Sequence, residues 1–308
     1  MNLAELSYQT SQTKQVDFDS FWCKRIAESH LQPLALITKP RPYTVPDVEV
    51  YDVYFDGFRN SRIHGVYVKP KEVKGPAAVM FHGYNWNTLQ PHHTFKYVLQ
   101  GIPVLQLDVR GQNILSPDQN VYENGGSAGW MLLGIMNPDQ YYYSYVYMDS
   151  YRSIEVVKEL SGQAEIVVEG SSQGGALAIA SAALHKDIKL VCADIPFLTN
   201  IEQTVNLAAD GPYQELQHYF KVHDPLYRTK ASVFATLSYI DCMNLASDVS
   251  CPTLLGIGMK DAACPPLGAF GLYHHLHGEK QMRVYPEYGH ELPPVHEEEK
   301  LRFLSEFF

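Results

Sequence analysis

The sequence predicts an α/β fold: a mostly parallel central sheet with helices on both faces and a helical insertion over the carboxyl ends of the strands. Three observations predict it. Short apolar runs at 77–81, 103–107, 166–168, 190–193, 253–257 and 282–285 are separated, in several cases, by helix-length stretches, as a sheet covered on both faces requires. One of these runs passes through a Gly-Ser turn directly into a helical pattern. The interval between Asp194 and Cys251, over fifty residues long, carries several helical segments and no convincing strand.

The elements follow in order. A polar arm to about residue 45, containing the segment DFDSFW from Asp17 to Trp22, reads as helical. Residues 48–55 and 63–68 alternate in the β manner and form an opening antiparallel pair. The stretch after Leu107 is rich in Gly, Asn and Asp and stays mostly loop until about Tyr141. Tyr147, Tyr151, Ile154 and Leu160 then mark one face of a helix. The tyrosines at 141–143, 145 and 147 read as core or subunit-interface filling ahead of a platform for stacking a sugar or base. The interval 195–250 is the insertion. No repeat, low-complexity tract or Gly/Ser linker divides the 308 residues, so a single domain over 1–308 is expected.

Composition narrows the function. Lys and Arg total 24 against 34 for Asp and Glu, a formal charge of -10 that repels nucleic acid and anionic membrane surfaces. The acidic run Glu297 to Glu299 sits beside Lys300 and Arg302 and reads as a solvated helix face. The start MNLAELSYQTSQTKQ has no basic segment followed by an apolar one, and no run of 18 apolar residues occurs, so export and membrane insertion are not expected. Five scattered cysteines without a CxxC pair fit a reducing compartment, hence the cytoplasm. The densest histidines, His92 with His93 and His274, His275 with His277, lack Cys or carboxylate partners at ligand spacing, so neither metal nor cofactor is expected.

The chemistry centres on Gly170-Ser171-Ser172-Gln173-Gly174, between the strand EIVVE and the helical GALAIASAALH. A serine at a sharp strand-to-helix turn projects above the sheet, small residues two before and two after avoid clashes, and the helix N-terminus behind it favours negative charge. Without chemistry, the same residues would be a Ser/Gly-rich helix cap. A serine hydroxyl needs a base oriented by a carboxylate. Asp261 follows the strand TLLGIG and His290 follows the strand MRVYP, so both reach the carboxyl rim in the order Ser, acid, His. Asp248 precedes its strand and lies at the wrong end. His274, His275, His277 and His296 belong to helices or their ends and read as surface residues. Oxyanion donors are expected from the backbone N–H of Gln173 and, in the turn His82-Gly83-Tyr84, that of Tyr84.

Arg110-Gly111-Gln112, GSSQG and His290-Glu291, with DFDSFW, YYYSYVYMDSYRSIEVV, SYIDCMNLA and DAACPP, together resemble the acetyl xylan esterase and cephalosporin C deacetylase group, carbohydrate esterase family seven. The resemblance covers nearly the whole chain. It implies an α/β-hydrolase that removes acetyl groups from short xylo-oligosaccharides and related small esters without metal, typically cytoplasmic and homohexameric. It gives the same triad, Ser172, Asp261 and His290, and the same donors, Tyr84 and Gln173. The chain departs from the family in carrying GSSQGG for the more common GGSQGG and in the segment 123–138, which bears on leaving-group preference.

Arg110 and Glu291 are expected to pair, directly or through Gln112, and so fix the loop bearing His290. Trp130 and Pro265 are expected as pocket walls. Two other readings stand beside the esterase. A serine peptidase of this fold would usually carry a large extra domain, for which 308 residues leave no room. A non-catalytic ligand-binding homologue would not need a complete nucleophile, base and acid.

Overall fold

The computed structural model describes residues 10–88, 90–123 and 128–308. The first nine residues of the opening segment, and 124–127 of the segment 123–138, lie outside them. Among the described residues nine strands form one sheet: β1 (Ile37–Arg41), β2 (Val48–Asp56), β3 (Arg62–Pro70), β4 (Ala77–Phe81), β5 (Val104–Leu107), β6 (Ile166–Ser171), β7 (Ile188–Asp194), β8 (Thr253–Gly258) and β9 (Lys280–Tyr285). Their spatial order is β1-β2-β3-β5-β4-β6-β7-β8-β9. The first three strands and β5 pair antiparallel; from β5 through β9 every pairing is parallel.

The helices longer than four residues are α1 (Phe18–His30), α2 (Tyr142–Ser161), α3 (Gln173–Leu184), α4 (Ile201–Leu207), α5 (Tyr213–Val222), α6 (Lys230–Ser238), α7 (Pro266–His275) and α8 (Val295–Ser305). Helix α3, whose Gly and Ala residues admit close approach, is buried along most of its length between the sheet and α2. The arm docks through α1: Phe18 and Phe21 pack on Tyr239, Trp22 stacks on Tyr147, and the Trp22 indole donates to the Tyr239 carbonyl at 3.1 Å. Tyr141, Tyr142, Tyr143 and Tyr147 are fully buried, so the tyrosine cluster is core. No described helix is long and apolar enough to cross a membrane.

The structure corrects three expectations. Strand β1, ITKPR, has no apolar run to announce it; it is an exposed edge strand whose partner β2 supplies the pairing, and an edge tolerates Pro40. His296 is not a surface residue: it is 1% exposed, with Nε2 at 2.7 Å from Asp194 Oδ1 and Nδ1 at 3.0 Å from the Tyr285 hydroxyl. The run 297–299 is only partly a solvated face, because Glu297 bridges Lys96 and Lys300 while Glu299 binds Arg283 and Arg302.

Candidate active site

The turn between β6 and α3 holds Ser172 at φ 58°, ψ -119°. A non-glycine residue there is strained. Two backbone hydrogen bonds hold it: Ser172 N–H donates to the Asp194 carbonyl at 2.9 Å, and Phe197 N–H donates to the Ser172 carbonyl at 3.0 Å. The flanking glycines are a packing requirement. A Cβ on Gly174 would lie 2.1 Å from the Phe81 carbonyl oxygen, and one on Gly170 would lie 2.3 Å from the Gly174 carbonyl carbon.

Ser172, Asp261 and His290, each from a different loop at the carboxyl rim, come together. Ser172 Oγ is 2.9 Å from His290 Nε2, and His290 Nδ1 is 2.8 Å from Asp261 Oδ2. The other carboxylate oxygen, Oδ1, accepts the N–H groups of Ala263 at 2.9 Å and Cys264 at 2.8 Å. Asp261 is therefore held in place, 1% exposed, beneath an imidazole that is 35% exposed to a cavity. That cavity, about 1290 Å³, is lined by Ser172, His290 and residues from the turn after β4, with Pro212, Gln214 and Glu215 of the insertion above.

Neither expected oxyanion donor, the N–H of Tyr84 or of Gln173, donates to a protein acceptor among the described residues. The turn carrying Tyr84 is locked by His82. Its Nε2 accepts the Val109 N–H at 2.9 Å, so the ring proton is on Nδ1, which donates to the Gly83 carbonyl at 2.7 Å. Burial lowers the His82 pKa, which keeps the ring neutral and this tautomer in place. Gln112 ties the two donor loops together: its Oε1 accepts the Asn85 N–H at 2.9 Å, and its Nε2 donates to Gln173 Oε1 at 2.8 Å.

Arg110 does not pair with Glu291. Its guanidinium is fully buried and bidentate on Asp149 of α2, and it also donates to the Phe58 carbonyl at 2.7 Å. Glu291 is exposed and accepts the Gly289 N–H at 3.3 Å. The spacing of Arg110 and Glu291 gave no sign of Asp149, a core carboxylate on the third turn of a helix. Gln112 does not bridge them either, since its amide is spent on Asn85, Gln173 and Tyr142.

Trp130 and Pro265 do not line the cavity that holds Ser172. Trp130 lies edge-on to Tyr84, at 5.3 Å between centroids, and faces a neighbouring depression beside Gln112 and Asp118. Pro265 is buried at the start of α7.

Sequence reasoning missed Glu215, a single carboxylate on α5 with no motif around it. It accepts the Tyr84 hydroxyl and, at 3.1 Å, the Met131 N–H, so the insertion grips the turn that carries the Tyr84 donor. Burial raises the pKa of Glu215 despite these two hydrogen bonds. It also missed the buried network below the serine, in which Glu169 meets Lys96 and Lys300, and Asp194 meets Lys300 and His296.

The family model described as Acetyl xylan esterase (AXE1) matches residues 1–307. A curated acetyl esterase, Axe7A of Xylanibacter ruminicola, is 26% identical over 284 residues, which are 88% of this chain; the chain spans 62% of that relative's length. Among solved structures, an acetyl xylan esterase from Paenibacillus sp. R4 superposes with a TM-score of 0.96 at 39% identity, covering 100% of both chains. Acetyl xylan esterase 1 from Thermoanaerobacterium sp. JW/SL YS485 gives 0.95 at 32% identity, covering 100% of this chain and 99% of that one. An acylaminoacyl peptidase from Pyrococcus horikoshii, at 16% identity and a TM-score of 0.60, covers 97% of this chain and 44% of its own and shares the fold alone.

Proposed function

The chain belongs to the acetyl xylan esterase family, with the α/β-hydrolase fold, and we propose that it is a serine carboxylesterase that removes acetyl groups from small acetylated substrates through an acyl-enzyme. Acetylated xylo-oligosaccharides and cephalosporin C-like esters are the substrate class. The observation that carries this reading is the unbroken chain from Ser172 Oγ through His290 to Asp261, presented on a strained turn at the floor of a cavity.

In this mechanism Ser172 Oγ attacks the acetyl carbonyl while His290 Nε2 takes its proton. Asp261 holds Nδ1–H and stabilises the imidazolium that forms. The carbonyl oxygen gains negative charge beside the unpaired N–H groups of Tyr84 and Gln173, at the positive end of α3. His290 then protonates the leaving alcohol. Water, activated by the same imidazole, attacks the acetyl-serine, and acetate leaves with the enzyme restored.

The test is hydrolysis of an aryl acetate by the wild-type protein and by Ser172→Ala. We expect kcat to fall by about 10³-fold or more in the variant; equal rates would overturn the assignment. A series of esters with lengthening acyl chains, and an aminoacyl-aryl amide, separates the readings: preference for acetate supports deacetylation, and preference for the amide supports the peptidase.

A further inference from the structure

The acid and base of the triad have a neighbour that hydrolysis does not use. Cys264 follows Asp261 by three residues on the same loop and is 6% exposed. One donor atom from each of Asp261, Cys264 and His290 lies within 4.8 Å of the other two. A thiolate, an imidazole and a carboxylate together form a donor set for borderline-soft divalent cations such as zinc. Bonds of roughly 2.0–2.3 Å in a tetrahedral site put its ligand atoms about 3.3–3.7 Å apart, so modest movements close the site. The side chains can make them. Asp261 Oδ1 is fixed by two amide N–H groups, but Oδ2 meets only His290, and His290 is partly exposed on its loop. Of the three, His290 lines the cavity above Ser172.

Two other groups of metal-type donors exist among the described residues, and both are already neutralised. Glu169, Asp194 and Glu297 hold Lys96 and Lys300, while Glu155 and Asp187 hold Lys158 and Glu155 also meets His185. The group at Cys264 is free of lysine and arginine partners among the described residues.

We propose that Asp261, Cys264 and His290 form an inhibitory site for a thiophilic divalent cation of the zinc class. Bound there, the ion takes the imidazole and its carboxylate away from Ser172 and stops hydrolysis reversibly. Ligation sends the Cys264 thiol proton to solvent, while the imidazole stays neutral and keeps its one proton on the nitrogen that does not ligate; no oxidation state changes. The site requires only the geometry, while the inhibition rests on the esterase reading above.

The experiment has two readouts on the whole protein. Zinc is titrated against aryl acetate hydrolysis in wild type, Cys264→Ser and Cys264→Ala, each expressed as a fraction of its own metal-free rate. Inhibition reversible by chelator, with at least a tenfold higher inhibitory concentration in both variants, is expected. Cobalt(II) is titrated separately, and a thiolate-to-cobalt charge-transfer band present in wild type and absent from both variants is expected whether or not the protein hydrolyses esters. Equal zinc sensitivity in all three proteins, as from an ion held by His92 and His93 at the cavity wall, would overturn the proposal, and so would cobalt binding without the thiolate band.

Discussion

At the scale of single residues the site depends on a serine held where serine does not rest. The left-handed backbone of Ser172 costs of order 1–3 kcal/mol, and the two backbone hydrogen bonds to Asp194 and from Phe197 offset it. Asp261 has a different task. With Oδ1 occupied by amide N–H groups, Oδ2 sets the imidazole tautomer. Asp261→Asn keeps the size but can present an amide N–H to Nδ1, forcing the proton onto Nε2, where it cannot accept from Ser172. We expect kcat for aryl acetate to fall by about 10⁴-fold with KM little changed. Steady-state kinetics check this, and a loss confined to KM would contradict it. These three residues were legible in the sequence because topology alone constrains them: each follows an apolar strand, so each reaches the same rim. Trp130 and Pro265 had no such constraint, and a chain position without a strand end beside it does not say which depression a side chain faces.

At the scale of elements the buried Arg110–Asp149 pair fastens α2 to the loop after β5 and to the Phe58 turn, where Asp149 also accepts the Phe58 N–H at 2.7 Å. Burial raises the Asp149 pKa even with Arg110 opposing it, so removal of the cation leaves a carboxylate with no adequate partner. We expect Arg110→Met to destabilise by about 3–5 kcal/mol. The double variant Arg110→Met, Asp149→Leu should recover much of that loss, read as the urea midpoint of each protein. Additive losses would show that the pair is not coupled. The strands themselves were legible as apolar runs, because a parallel sheet buried on both faces leaves little choice of residue. The exposed β1 was not, since its existence depends on β2. Contacts such as Arg110 to Asp149 or Glu215 to Tyr84 join elements distant in the chain, and periodicity carries no information about them.

At the scale of the whole molecule the network beneath Ser172 joins the middle of the sheet to the C-terminal helix. Glu169 on β6 and Asp194 on β7 are buried, and Lys300 on α8 reaches both, at 2.7 and 2.9 Å. Lys96 and the Tyr97 hydroxyl complete the shell of Glu169. Burial alone would push both carboxyl groups up. The Lys300 ammonium, with Lys96 at Glu169 and His296 at Asp194, outweighs it and holds both pKa values below the usual carboxylate range. With folded pKa values below the unfolded ones, the two groups contribute stability that is fully present above about pH 4–5, where the unfolded carboxylates ionise, and is lost as pH falls through the folded values. Lys300→Met removes the shared cation and leaves the carboxylates facing burial with less compensation. Its stability at pH 7 should fall by about 3–5 kcal/mol. The folded pKa values should then move above the unfolded ones and invert the slope. Between pH 7 and pH 5 the variant should gain stability as protons neutralise the stranded carboxylates, while the wild-type protein does not gain from these groups. Denaturant unfolding across that range tests the inversion, and parallel pH profiles for the two proteins would show that Lys300 does not hold the network.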